Sequence, residues 1–99
     1  MTPEQEVAAK KYVYELVRKT RENAVYQRMR EEVELAASEA AKKAADQANE
    51  GEIGICFNSN YYYADIENHK KRIEKLRIDE QLARDAEAIV VGRFIEESV

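Results

Sequence analysis

The chain has 99 residues, of which 36% are charged and 44% hydrophobic, and a formal net charge of −4. That length is one domain with a thin core, and the acidic balance excludes a surface given over wholly to nucleic acid or anionic lipid. The single cysteine, Cys56, excludes an internal disulfide, and no run reaches the roughly 18 apolar residues of a membrane span.

With no secretory-signal pattern, the expected setting is cytoplasmic. Thr2-Pro3-Glu4-Gln5 has the order of a helix start: threonine caps, proline suits the first turn, and glutamine sits where a capping box needs it. A first helical arm is predicted over residues 3–49. Val7, Ala9, Val13, Leu16 and Val17 recur at helical steps, and then Arg18 to Asn23 hold no bulky apolar residue, so a bend or break is expected at 20–23. The pattern resumes with Val25, Met29, Val33, Ala36, Ala37, Ala40, Ala44 and Ala48, read as a face that a neighbouring helix approaches closely. Gly51 is placed to end the arm.

The segment 51–64 interrupts the helical pattern. Ile53, Ile55 and Phe57 alternate with Glu52, Gly54 and Cys56, and Asn58-Ser59-Asn60 is a turn-forming triplet ahead of Tyr61, Tyr62 and Tyr63. The spacing predicts a short β-hairpin at about 52–64, or an ordered loop leading into a helix that starts near Tyr61 under an Asn60 or Ser59 cap. A second arm follows over 65–97. Ile66, His69, Ile73 and Leu76 form one stripe; Leu82, Ala83, Ala86, Ile89, Val90 and Phe94 form another, with a kink or fresh cap expected at Asp79. The fold class is therefore mostly α: one domain, 1–99, as an antiparallel long-helix hairpin of coiled-coil type or a small helical bundle.

Charge is blocked along the chain. Residues 18–30 carry five bases against Glu22, residues 31–52 seven acids against Lys42 and Lys43, residues 67–78 five bases against Glu67 and Glu74, and the remaining tail six acids against Arg84 and Arg93. An antiparallel fold-back sets the first positive block against the last negative one. Exposed pairs of this kind are worth about 0–1 kcal/mol each and set register more than they stabilise.

No catalytic motif stands out. His69 is the only histidine, which removes every scheme that needs two, and it is read as a structural residue on the Ile66-Ile73-Leu76 stripe. Cys56 reads as a small apolar filler. The acids at helical spacing, Glu31 with Glu34 and Glu80 with Glu87, read as solvated faces, so no metal site and no cofactor are expected. The expected role is non-enzymatic: an adaptor, regulator or inhibitor that binds another protein through a helical surface, as a homodimer. Asn58, Asn60, Tyr61, Tyr62 and Tyr63 are the first contact candidates, followed by Lys70, Lys71 and Arg72, since interfaces favour aromatics and arginine. Tyr12, Tyr14 and Tyr26 equally suit a homodimer core. One alternative is nucleic-acid or nucleotide binding, with the basic helix 69–77 on phosphates and Tyr61 to Tyr63 stacking on bases. Another, from size and charge, is an inhibitor of the kind phages direct at host defences or nucleic-acid-processing proteins.

Overall fold

A computed structural model of the chain describes the backbone of residues 1–51 and 59–98, and the side chains of residues 1–50 and 61–93. Two helices, α1 (Pro3–Gly51) and α2 (Ser59–Ser98), are joined as a helical hairpin, with no strand among the described residues. Contacts divide it into two compact units: unit 1 takes Met1–Gln27 with Leu76–Val99, and unit 2 takes Arg28–Lys75. Each unit therefore pairs one stretch of α1 with one stretch of α2.

The start of α1 is the capping box its sequence announced. The Thr2 backbone N–H donates to Gln5 Oε1 at 2.9 Å, and the Gln5 N–H donates to Thr2 Oγ1 at 3.2 Å. These bonds satisfy two of the donors that a helix N-terminus leaves without an intrahelical acceptor. Thr2→Ala is expected to cost about 1 kcal/mol at this end, seen as faster amide exchange over the first turn of α1 with the rest unchanged.

Past the cap, α1 passes through 20–23 without a break, one of the two expectations there, with Thr20 Oγ1 donating back to Leu16 O at 2.8 Å. α2 likewise passes Asp79 without a second start. Neither helix carries a proline in its interior, and i,i+4 ion pairs such as Arg28–Glu32 (2.9 Å) and Lys42–Asp46 (2.8 Å) lace the surface. Of the two readings of 52–64, the helical one holds over 59–64, where Tyr61 to Tyr63 lie in the first turns of α2 rather than in a strand. The remainder of the β-hairpin reading, 52–58, lies outside the described residues.

The half-buried and buried positions recur at alternating steps of four and three, the spacing of a helix-pair seam. In unit 2 they include Arg28, Glu31, Leu35, Ser38, Lys42, Ala45 and Asn49 on α1, and Tyr62, Ile66, His69 and Ile73 on α2. In unit 1 they include Lys10, Tyr14, Val17, Arg21 and Ala24 on α1, and Leu76, Glu80, Ala83, Glu87 and Val90 on α2. The predicted Ile66-His69-Ile73-Leu76 stripe is this seam. The α1 stripes match it poorly: Val17 lies on the seam and Val25 and Ala48 are half-buried, but Val7, Val13 and Leu16 are exposed, as are Met29, Val33, Ala36, Ala37, Ala40 and Ala44. In the second half of α2 the stripe splits, Ala83 and Val90 turning inward while Leu82, Ala86 and Ile89 face out.

The physical reason lies in what each face of α1 has to offer. Alanine methyls remove little area from water, so an alanine face gains little by facing inward. The seam face instead carries Glu31 and Ser38, whose partners stand opposite on α2, together with Leu35 and Ala45.

Candidate functional site

The antiparallel register of unit 2 is written in its cross-helix contacts: Glu31 meets His69 and Arg72, while Ser38 meets Asp65. His69 stands at the middle of this cluster and is 6% exposed. Its Nδ1 is 2.6 Å from Glu31 Oε2 and 4.0 Å from Glu34 Oε2, and its Nε2 is 3.4 Å from Asp65 Oδ2. Ser38 Oγ donates to that same Asp65 oxygen. Arg72 reaches in from α2, with Nε 3.2 Å from Glu31 Oε1 and Nη2 2.9 Å from His69 Nδ1.

The hydrogen bond from His69 holds the Glu31 carboxyl below the usual carboxylate range, with Arg72 acting in the same sense and burial opposing both. Glu31, Glu34 and His69 each offer one donor atom, and these atoms lie within 4.8 Å of one another, as a bound cation requires. Helical spacing pairs Glu31 with Glu34, one turn apart on α1, but nothing in it connects them to His69, 38 positions from Glu31. The missing signal was register, because the charge blocks paired whole segments and not residue 31 with residue 69.

Of the predicted contact residues, Asn60, Tyr61, Tyr62, Tyr63, Lys70, Lys71 and Arg72 lie on α2 in unit 2. Tyr61 and Tyr63 are 68% and 60% exposed, and Tyr62 is half-buried with its ring edge-on to Tyr61 at a centroid distance of 5.5 Å. Asn58 lies outside the described residues, and Asn60 belongs to α2 with its side chain outside them. Lys70 and Lys71 are exposed, Lys70 lying 3.9 Å from Glu67. Arg72 is divided between solvent and Glu31, so the basic stretch 69–77 is interrupted by a buried histidine and a committed arginine.

In unit 1 the first positive block meets the last negative block as predicted, through Arg21 Nε and Glu87 Oε2 at 2.7 Å. This hydrogen bond raises the Arg21 pKa further above its ordinary value. The unit's burial is otherwise sparse. Ala83 is its one buried hydrophobic residue and Glu80 its one buried polar residue among those described. Large apolar side chains instead face solvent: Tyr12, Leu16 and Tyr26 on α1, and Ile78, Leu82 and Ile89 on α2, between 48% and 66% exposed. Tyr14 alone of the α1 tyrosines turns to the seam.

A groove beside Ile66, lined by Glu39, Lys42, Lys43 and Asp46, is open and charged. No helix among the described residues is long and apolar enough to cross a membrane. Set against known proteins, the chain matches no family model, no curated protein and no solved structure.

Proposed function

We propose that the chain is a non-enzymatic protein-binding module, an adaptor, regulator or inhibitor, that works as a homodimer joined through the outer apolar face of unit 1. The observation that carries this reading is an inversion of burial. Ile78, Leu82 and Ile89 are 63%, 63% and 58% exposed, whereas among the described residues the buried hydrophobic one of that unit is an alanine. Spacings of four and seven put all three on one side of α2. Gly92 continues the line, and a Cβ added there meets nothing within 4 Å, so the backbone is uncovered at this point of the face.

A contiguous apolar face of this kind on a water-exposed helix marks an association surface. A second copy is the occupant that one such face suits, because a two-fold contact uses the same patch twice and two-fold dimers are the commonest closed assembly. The test is sedimentation equilibrium over a dilution series. A mass of two chains at micromolar concentration supports the reading, and a single chain at every concentration overturns it. Hetero-association through the same face is then the remaining outcome, read by cross-linking from a cysteine placed at position 82.

A further inference from the structure

The His69 cluster is not at rest electrostatically. Nδ1 has a carboxylate oxygen at 2.6 Å and a guanidinium nitrogen at 2.9 Å. Glu31 needs a proton on that nitrogen, and Arg72 needs a lone pair there; one ring nitrogen supplies one or the other. Around it three carboxylates, Glu31, Glu34 and Asp65, face one histidine and the guanidinium of Arg72.

We propose that His69 Nδ1, Glu31 and Glu34 form a binding site for one divalent transition-metal ion, with zinc the best fit. A cation there accepts lone pairs from both Nδ1 and Glu31 Oε2, which removes the conflict. Arg72 is the stand-in for that cation in the metal-free chain, and its side chain, 52% exposed, has a short path back to solvent. Glu34 leaves only its surface pairing with Arg30, whose side chain is 61% exposed.

The geometry is close to what zinc requires. Nitrogen and oxygen ligands at their usual bond lengths around a tetrahedral zinc stand about 3.3 Å apart. Nδ1 is 2.6 Å from one carboxylate oxygen and 4.0 Å from the other, so shifts of roughly 0.7 Å in opposite senses reach that spacing. The far side of the ring offers what metal-bound histidines use: Nε2 lies 3.4 Å from Asp65 Oδ2, which accepts from Ser38, so when a cation takes the Nδ1 lone pair the ring proton moves to Nε2 and faces that carboxylate. One imidazole with two carboxylates favours zinc and its first-row neighbours over calcium or magnesium, which prefer all-oxygen sites. Water completes the coordination. The ion ties α1 to α2 within unit 2.

The test uses the full chain, stripped with chelator, titrated with zinc by calorimetry and with cobalt(II) by visible absorption. One ion per chain is expected, with calcium and magnesium failing to compete. Glu34→Gln weakens zinc binding about tenfold or more while metal-free helicity and Tm stay unchanged, and Asp65→Asn weakens it about 10- to 100-fold through the ring orientation. Arg72→Ala tightens it by removing the competing cation, and Cys56→Ser leaves it intact. Absence of saturable zinc binding, equal affinity in Glu34→Gln and the parent chain, weaker binding in Arg72→Ala, or loss with Cys56→Ser each overturns the site.

Discussion

Replacing Leu82 and Ile89 together by aspartate is expected to raise the dimer dissociation constant by about 100-fold or more, leaving monomers where the parent chain is paired. Each side chain is more than half exposed in the single chain, so its removal takes nothing from the seam. At a dimer contact the exposed part of the same two side chains is buried, a gain of about 1–2 kcal/mol each, and each factor of ten in affinity is about 1.4 kcal/mol. Aspartate adds the cost of desolvating a charge. Sedimentation velocity over a dilution series reads the change directly. The control is Val33→Asp, on α1 in unit 2 and 69% exposed, which lies off the proposed contact and leaves association intact. Unchanged sedimentation of the double variant would sink the proposed interface. If dimerisation also supports the fold, the thermal midpoint of the parent will rise with protein concentration and that of the variant will not.

The second large effect concerns the seam itself. Ile73→Ala is expected to destabilise the protein by about 2–5 kcal/mol, as removal of a buried isoleucine leaves a cavity that a close-packed interior closes only in part. Ile73 is 5% exposed and is one of three buried hydrophobic residues among those described in unit 2, with Ala45 and Ile66, so few neighbours share the loss. Val33→Ala removes a branched side chain from the outer face of the same unit and should stay within about 0.5 kcal/mol. Urea unfolding at one fixed protomer concentration gives both values. Equal effects from the two substitutions would mean that the face carrying Val33 is covered as fully as the one carrying Ile73.

Much of this architecture could be read from the chain. Thr2 and Gln5 announced the first cap; strong helix formers with proline confined to position 3 announced long helices; and the charge blocks announced that Arg21 would find an acid near the end of α2. These are local or summed properties, set by side-chain chemistry within a turn or by net charge over a dozen residues, and such properties survive without a partner structure. The alanine-rich face failed as a guide for a related reason. Apolar periodicity identifies a face that water tolerates poorly, but it does not say which neighbour covers it. In the single chain the seam falls on Glu31, Leu35, Ser38 and Ala45 and leaves Val33, Ala37, Ala40 and Ala44 outside.

The break expected at 20–23 failed for a matching reason. A helix does not need a bulky apolar residue in every turn when Val17, Arg21 and Ala24 hold the seam spacing and Arg21 finds Glu87 across it. Likewise, a turn-forming triplet ahead of aromatic residues does not specify a strand: Tyr61 to Tyr63 went into α2, while the alternating stretch before them lies outside the described residues.

By itself, then, the sequence determined two long charged helices whose first and last charge blocks could pair, within one chain or between two, because helix propensity, caps and net charge act over short range. Only the tertiary structure decided that His69 would be buried between Glu31, Asp65 and Arg72, and that Leu82 and Ile89 would face water. Both outcomes depend on the register of one helix against the other. A shift of a single residue turns each side chain by about 100° around its helix axis, and that is enough to exchange a buried histidine–carboxylate cluster for a solvated face.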